Sequence, residues 1–210
     1  MKKLLLLIPL IVGVGSSAWA ANCTSEALSI YEGAGFSCNV GDLVFSNFTS
    51  SGVDTTSTVS DVSGPESGLD FGVNLVAVSP VNENASIGYL VTCDMCTIDD
   101  WALQTGLAGS TGTGAVSVVE LSTPGALIQS TVGGVTSGMG SETFSPADTS
   151  LSVTTSMVLG GGTDGTVTTL GSTTNLFSLT PNSTVPEPSS LALCAGLLCL
   201  LPFARRRFVR

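Results

Sequence analysis

The sequence predicts an all-β fold, and specifically an antiparallel β-sandwich of the jelly-roll kind. The central part of the chain is rich in Ser, Thr, Gly and Val and has few charges, a composition that favours strands and turns. Apolar and polar residues alternate with a period of two, as in residues 151–159, where every odd position except Thr155 is apolar. No amphipathic helix of three or more turns is recognisable in this part.

Seven further segments have strand character and are separated by clusters of Gly, Ser, Pro and Asp. They are residues 42–48, 69–78, 86–92, 115–121, 126–132, 165–170 and 175–180. We therefore expect about eight to ten short strands. A β-solenoid is the competing architecture, but its fixed repeat is missing, because the Thr pairs of the chain are irregularly spaced.

The start of the chain has the layout of a secretory signal peptide, which we assign to residues 1–20. Two lysines precede an apolar run, and the small residues Ala18 and Ala20 predict cleavage before Ala21. An uncleaved transmembrane helix is the alternative, but the apolar run is short for it. We expect export of the body, a β-sandwich domain of residues 21–181.

The end of the chain has the features of a membrane-directed tail. In order, they are a linker of residues 182–190 with the motif Val185, Pro186, Glu187 and Pro188, a transmembrane helix of residues 191–204, and a basic tail of residues 205–210 with Arg205, Arg206 and Arg207. The apolar run would span about 21 Å as a helix, which is short against a bilayer core of about 30 Å. A basic cluster after an apolar segment marks the cytoplasmic side, so the body would lie outside.

These residues resemble the PEP-CTERM sorting signal of exported bacterial proteins, also called the ice-binding protein C-terminal domain. The resemblance covers residues 185–210 and rests on the Pro-Glu-Pro motif, the apolar helix and the arginine cluster in this order. It implies handling by an exosortase, a transpeptidase-like membrane protease, and a bacterium that makes exopolysaccharide. It also implies an inner-membrane location before processing and a cell-surface or extracellular one afterwards. A plain C-terminal anchor is the alternative.

The body also resembles a group of PEP-CTERM proteins that occur alongside exosortases. A cysteine, Cys38, precedes Gly41-Asp42 and the strand Phe45-Ser46-Asn47-Phe48, and the segments 87–89 and 118–120 fit the same pattern. The group has no assigned catalytic activity, so this resemblance implies a surface role and adds no site.

The charges are distributed very unevenly. All 6 basic residues lie within the first three and last six positions, whereas all 16 acids lie between them, and the chain has no His. Nucleic acid is a poor candidate partner, because binding a phosphate backbone relies on Lys and Arg. Catalytic units with His, and His-ligated metal sites, cannot be built. If both ends are removed, the body keeps every acid except Glu187 and no base.

Four cysteines of the body, Cys23, Cys38, Cys93 and Cys96, are disulfide candidates, because export places them in an oxidising compartment. Three connectivities exist, and we prefer the two local pairs, Cys23–Cys38 and Cys93–Cys96. The Cys93-x-x-Cys96 spacing also occurs in redox and zinc sites. Nearby acids, however, would raise the thiol pKa, and zinc would require the other two cysteines.

Carboxylates are the main remaining candidates for chemistry. A glycosidase needs two facing carboxyls, for which Glu120 and the Asp99-Asp100 pair are candidates, with Trp101 as a sugar-stacking ring. The competing interpretation puts Glu120 on the solvent face of its strand and Trp101 in the core. Asp94, Asp99 and Asp100 offer oxygens for calcium, although the usual loop patterns are missing.

From these observations we expect an exported surface or extracellular-matrix protein with a structural or adhesive role, without catalysis and without a required cofactor. Its expected partners are the secretion machinery, the exosortase, the membrane through its C-terminal helix before processing, and exopolysaccharide. The alternatives are a carbohydrate-binding module, with calcium as its candidate ion, and, with less support, a carboxylate glycosidase.

Overall fold

The computed structural model of the chain describes residues 20–182, apart from residues 124, 133 and 164. Strands make up 69% of this part, and its one helix, α1, is a single turn at Leu28–Tyr31. The strands are β1 (Ala21–Asn22), β2 (Glu26–Ala27), β3 (Ser37–Val40), β4 (Leu43–Ser51), β5 (Thr58–Val62), β6 (Ser67–Val78), β7 (Glu83–Cys93), β8 (Cys96–Gly106), β9 (Gly109–Ser110), β10 (Ala115–Leu121), β11 (Ala126–Val132), β12 (Val135–Met139), β13 (Ser141–Asp148), β14 (Ser150–Gly160) and β15 (Val167–Pro181).

The strands form two sheets. The first has the order β1-β3-β4-β7-β14-β10-β11-β12, and the second has the order β13-β8-β15-β6-β5-β2, with β9 beside β15. Every strand pair is antiparallel except the short parallel pair β1–β3. The last two long strands lie inside the sheets, β14 between β7 and β10 and β15 between β8 and β6. The predicted all-β fold with antiparallel sheets is confirmed.

Strand β14 shows how the residue pattern builds the sheet. Its side chains alternate between buried and less buried positions along the strand, and the fully buried ones include Leu151, Val153 and Met157. Because successive side chains of a strand point to opposite faces, this alternation gives the strand one face toward the core. Thr155 interrupts the apolar series, but it too is buried on that face.

The two sheets pack against each other around one hydrophobic core. Phe45 of β4 and Phe177 of β15 lie in different sheets, with ring centroids 6.1 Å apart. Phe71 of β6 and Tyr89 of β7 make a second contact between the sheets, with centroids 5.6 Å apart. Helix α1 adds Tyr31 at one side of this core. Burial of these rings and of the aliphatic side chains around them stabilises the fold.

The strand prediction was right for the segments with clean alternation and wrong elsewhere. Residues 167–170 and 175–180, parts of two predicted strands, belong to the single strand β15, whose register shifts near Gly171; Gly165 and Thr166 precede it. Strand β8 was missed, because a register shift between Ile98 and Asp100 adds a residue and breaks the period of two. Strand β12 was missed because none of its residues is buried, so it has no amphipathic pattern.

The predicted signal peptide, linker, transmembrane helix and basic tail lie almost entirely outside the described residues. Within residues 20–182, no helix has the length and apolar character needed to cross a bilayer. Ala21, the predicted first residue of the exported body, opens β1 and pairs with Cys38 of β3. Asn39 donates a hydrogen bond from Nδ2 to the carbonyl oxygen of Ala20, at 3.2 Å.

The four cysteines of the body form two disulfides, Cys23–Cys38 and Cys93–Cys96, with Cα atoms 4.8 and 5.4 Å apart. This is the local pairing preferred from the sequence. All four are buried. The first disulfide ties the N-terminal segment to β3, and the second closes the turn between β7 and β8.

The two disulfides should contribute unequally to stability because they close loops of different length. In the chain-entropy account, closing the 15-residue separation of Cys23–Cys38 contributes about 3 kcal/mol. The 3-residue separation of Cys93–Cys96 contributes about 1 kcal/mol less. Urea unfolding of the double Cys→Ser variant of each pair should show the larger loss for Cys23–Cys38. Because the burial of the two pairs is matched, equal losses would contradict this.

Candidate functional site

Glu120 lies in β10 with its side chain in the interior between the two sheets, and it is 0% exposed. The expectation that it faces solvent was therefore wrong. Both Val118 and Val119 are apolar, so alternation alone does not decide which face of β10 is inward. The neighbours decide it, because Glu120 is registered between Thr155 of β14 and Leu127 of β11, and both are fully buried.

Neither carboxylate oxygen of Glu120 has a hydrogen-bond partner. Burial without a partner disfavours the charged form, and it raises the pKa of Glu120 well above its usual range. Burial likewise raises the pKa of Tyr89, and the nearby Glu120 raises it further. Its burial therefore favours the neutral carboxylic acid form of Glu120.

Three other polar side chains share this interior. The amide nitrogen Nδ2 of Asn175, in β15, donates to the Tyr89 hydroxyl at 2.7 Å and to Thr155 Oγ1 at 3.2 Å. The Asn175 carbonyl oxygen Oδ1 is buried and accepts no hydrogen bond. We call Tyr89, Glu120, Thr155 and Asn175 the interior polar cluster. Sequence reasoning found only Glu120, although the single Thr on the apolar face of β14 was a signal for the rest.

The other glycosidase candidates do not join Glu120. Trp101 is 1% exposed and packs on Phe144, with ring centroids 5.9 Å apart, so it belongs to the core and offers no sugar-stacking surface. Asp99 and Asp100 are half-buried in β8. Asp99 accepts hydrogen bonds from Thr97 and Thr180, which occupy both of its carboxylate oxygens.

The calcium candidates are also not assembled. In the described part of the chain, no three side chains of His, Cys, Asp or Glu come together in a way that could hold a metal ion. Asp94 is exposed in the turn between β7 and β8, whereas Asp99 is held by two threonines. The structure therefore does not bring Asp94, Asp99 and Asp100 together into one group of ligands.

The sorting residues Val185, Pro186, Glu187, Pro188, Arg205, Arg206 and Arg207, and the cleavage residue Ala18, lie outside the described residues. Of the predicted cleavage site, Ala20 and Ala21 are described: Ala20 precedes β1, and Ala21 is the first residue of β1.

An apolar surface lies at one edge of the eight-stranded sheet, where β11 and β12 form a hairpin. Its exposed side chains, which we call the hairpin face, are Leu121, Ile128, Val132, Val135 and Met139. The register pairs Ile128 with Met139 and Val132 with Val135, so these side chains adjoin across the strands. Val135 is 70% exposed.

Local sequence explains the shape of this hairpin. Gly134 lies in the turn between β11 and β12 and has a φ of 82°, which glycine adopts without strain. In β12, a side chain at Gly138 would collide with the Ile128 carbonyl oxygen. The hairpin carries no charge, since the sequence from 121 to 141 has no acid or base. Charged residues or prolines usually prevent an edge strand from pairing with a strand of another molecule, and β12 has neither.

A search with protein-family models found no match to the chain, and a search of curated proteins found no significant match.

Glu120 should make the stability of the protein depend on pH. Because its folded pKa is raised, its stabilising contribution is complete below the unfolded pKa of about 4.3 and is lost as the pH rises toward the folded value. Glu120→Gln cannot ionise. The unfolding free energy of the wild type relative to this variant should therefore fall with rising pH, by at most about 1.4 kcal/mol per unit.

Urea unfolding at several pH values measures this difference. Glu83→Gln, at an exposed position, serves as the control. The difference in unfolding free energy between the wild type and this variant should change much less with pH. A pH-independent difference between wild type and Glu120→Gln would contradict the assignment.

Proposed function

We propose that this protein is an exported surface or extracellular-matrix protein with a structural or adhesive role, sorted through a PEP-CTERM-like tail. Its body is a jelly-roll-like sandwich, a description supported by the central position of β14 and β15. The N-terminal signal pattern and the tail of residues 185–210 support export, exosortase handling and an inner-membrane stage before release to the cell surface. The hairpin face carries the structural role, since it offers a surface for assembly.

The occupant that we assign to the hairpin face is a second copy of this chain. The body, residues 21–181, has fifteen of the 16 acids and no basic side chain, so two copies repel one another where their acids approach. The hairpin face is apolar and uncharged, and contact there buries exposed Val, Ile, Leu and Met side chains without bringing acids together.

Strand β12 adds a second source of contact. Among the described strands it pairs only with β11, so its other edge has backbone N–H and C=O groups available to another strand. Two hairpins that meet edge to edge would continue the sheet from one copy to the next. Because each copy contributes the same strand, the contact is a symmetric one.

Carbohydrate binding has less support than assembly. Sugars are commonly bound on exposed aromatic rings, which offer flat apolar surfaces with a low entropy cost. In residues 20–182, every aromatic side chain is buried except Phe36, which is half-buried. Exopolysaccharide therefore stays a proposed neighbour in the matrix rather than a ligand of a defined site.

A charge placed in the hairpin face should weaken self-association. In Ile128→Glu the two copies bring carboxylates together at the contact, and we expect the dissociation constant to rise by about tenfold or more. Sedimentation velocity of the purified protein over a range of concentrations measures it. The Ile128 side chain is 48% exposed, so the substitution should change unfolding stability little.

Val76→Glu is the matched control. Val76 is 50% exposed on an outer strand surface of the other sheet, so the substitution adds the same charge to a comparable position outside the hairpin face. It should leave self-association close to that of the wild type. Equal effects of the two substitutions, or a wild type that stays monomeric at every concentration, would contradict the assembly role. Retention of the monomer on exopolysaccharide would favour the carbohydrate-binding alternative.

A further inference from the structure

The interior polar cluster holds a hydroxyl, a carboxamide and a carboxylic acid together in the middle of the sandwich. We propose that Thr155 and Asn175 form an intramolecular ester, which joins the two sheets covalently. Thr155 lies in β14 of the eight-stranded sheet, and Asn175 lies in β15 of the seven-stranded sheet. Such a bond is independent of the hairpin face and of sorting.

The reacting groups are already in contact. Thr155 Oγ1 lies 3.2 Å from Asn175 Nδ2, and the Asn175 carbonyl carbon is one bond from that nitrogen. A small rotation of either side chain brings Oγ1 onto this carbon. Tyr89 holds the same amide nitrogen from the other side, through the hydrogen bond at 2.7 Å. Because both groups belong to one folded chain and are held at this distance, the reaction is intramolecular. The entropy that two separate molecules would lose on meeting therefore adds little to the activation barrier.

Glu120 is the group that can move the proton. It is directly opposite Thr155 in the register of β10 and β14, where side chains on the same face are about 5 Å apart at Cβ. Both of its oxygens lack a partner, and so does Oδ1 of Asn175. The interior polar cluster therefore contains a carboxylic acid without an acceptor and a carbonyl oxygen without a donor, both next to Thr155. Donation to Oδ1 would polarise the carbonyl toward attack.

The reaction balances without any other reagent. Thr155 Oγ1 attacks the Asn175 carbonyl carbon, and a new C–O bond forms. The C–N bond of the carboxamide breaks, and its nitrogen leaves as ammonia after taking up the proton that the Thr155 hydroxyl has lost. Glu120 passes this proton from oxygen to nitrogen and ends in its original neutral form. No oxidant or reductant takes part.

Burial favours this product over hydrolysis. Thr155 and Glu120 are 0% exposed and Asn175 is 1% exposed, so bulk water does not reach the ester. The bond would also remove the desolvation cost of the Asn175 amide, since the unpartnered carboxamide is replaced by a less polar ester. Departure of ammonia from the interior makes the step effectively irreversible.

Peptide mapping of the reduced, denatured full chain tests the proposal. A protease that cuts before Asp separates Thr155 from Asn175, because Asp164 lies between them and Asp148 precedes both. With the ester, the two peptides stay joined, and their mass is the sum of both less one ammonia. Hydroxylamine, which cleaves esters, should separate them. Two separate peptides of unmodified mass in the wild type would overturn the proposal.

Substitutions identify the side chains that take part in the reaction. Thr155→Val removes the nucleophile and should abolish the joined peptide, whereas Thr155→Ser should retain it. Glu120→Gln should slow its formation by about a hundredfold. Thr173→Val is the matched control, since Thr173 is a fully buried hydroxyl of β15 without a partner, and it should leave the link intact. A loss of ammonia that persists in Thr155→Val would indicate cyclisation at Asn175 alone and would overturn the proposal.

Discussion

Fifteen carboxyl side chains in a body without a single base are the constraint on which the rest of this structure depends. No ion pair between side chains can form within residues 21–181, so no basic side chain offsets the repulsion among the acids. Stability must come from apolar burial, the backbone hydrogen bonds of the two sheets and the disulfides. The interior accordingly has aromatic contacts between the sheets, as between Phe45 and Phe177.

The same constraint limits what the surface can do. A surface whose charged side chains are all acids keeps copies apart and also repels anionic polymers, so any contact between copies must avoid the acids. The hairpin of β11 and β12 is where this condition is met together with exposed apolar side chains and a free strand edge. The hairpin of β11 and β12 therefore combines the features that allow strand edges to associate, which most proteins avoid.

Much of the fold follows from the sequence, because strands with one buried face leave a period-two signal. Strand β14 carries this signal almost without interruption, and its extent and inward face are predictable. The local disulfide pairing also agrees with the preference from sequence. Strand β8 is harder to predict, since the added residue at its register shift makes Asp99 and Asp100 look like a turn.

The candidate site is much less predictable. Glu120 is recognisable as an acid in an apolar strand, but its inward direction depends on Thr155 and Leu127 in neighbouring strands. Asn175 comes beside Thr155 only because the two sheets stack, and no local pattern encodes that contact. The hairpin face has the same origin, since β12 is exposed by its position at the sheet edge.

Two-tag fractionation tests the central claim, export and sorting, most directly. One epitope tag lies in the exposed turn near Gly64 and the other follows Arg210. In a bacterium with an exosortase, the body tag should appear outside the cell without the C-terminal tag. An intact protein with both tags in the cytoplasm would contradict it.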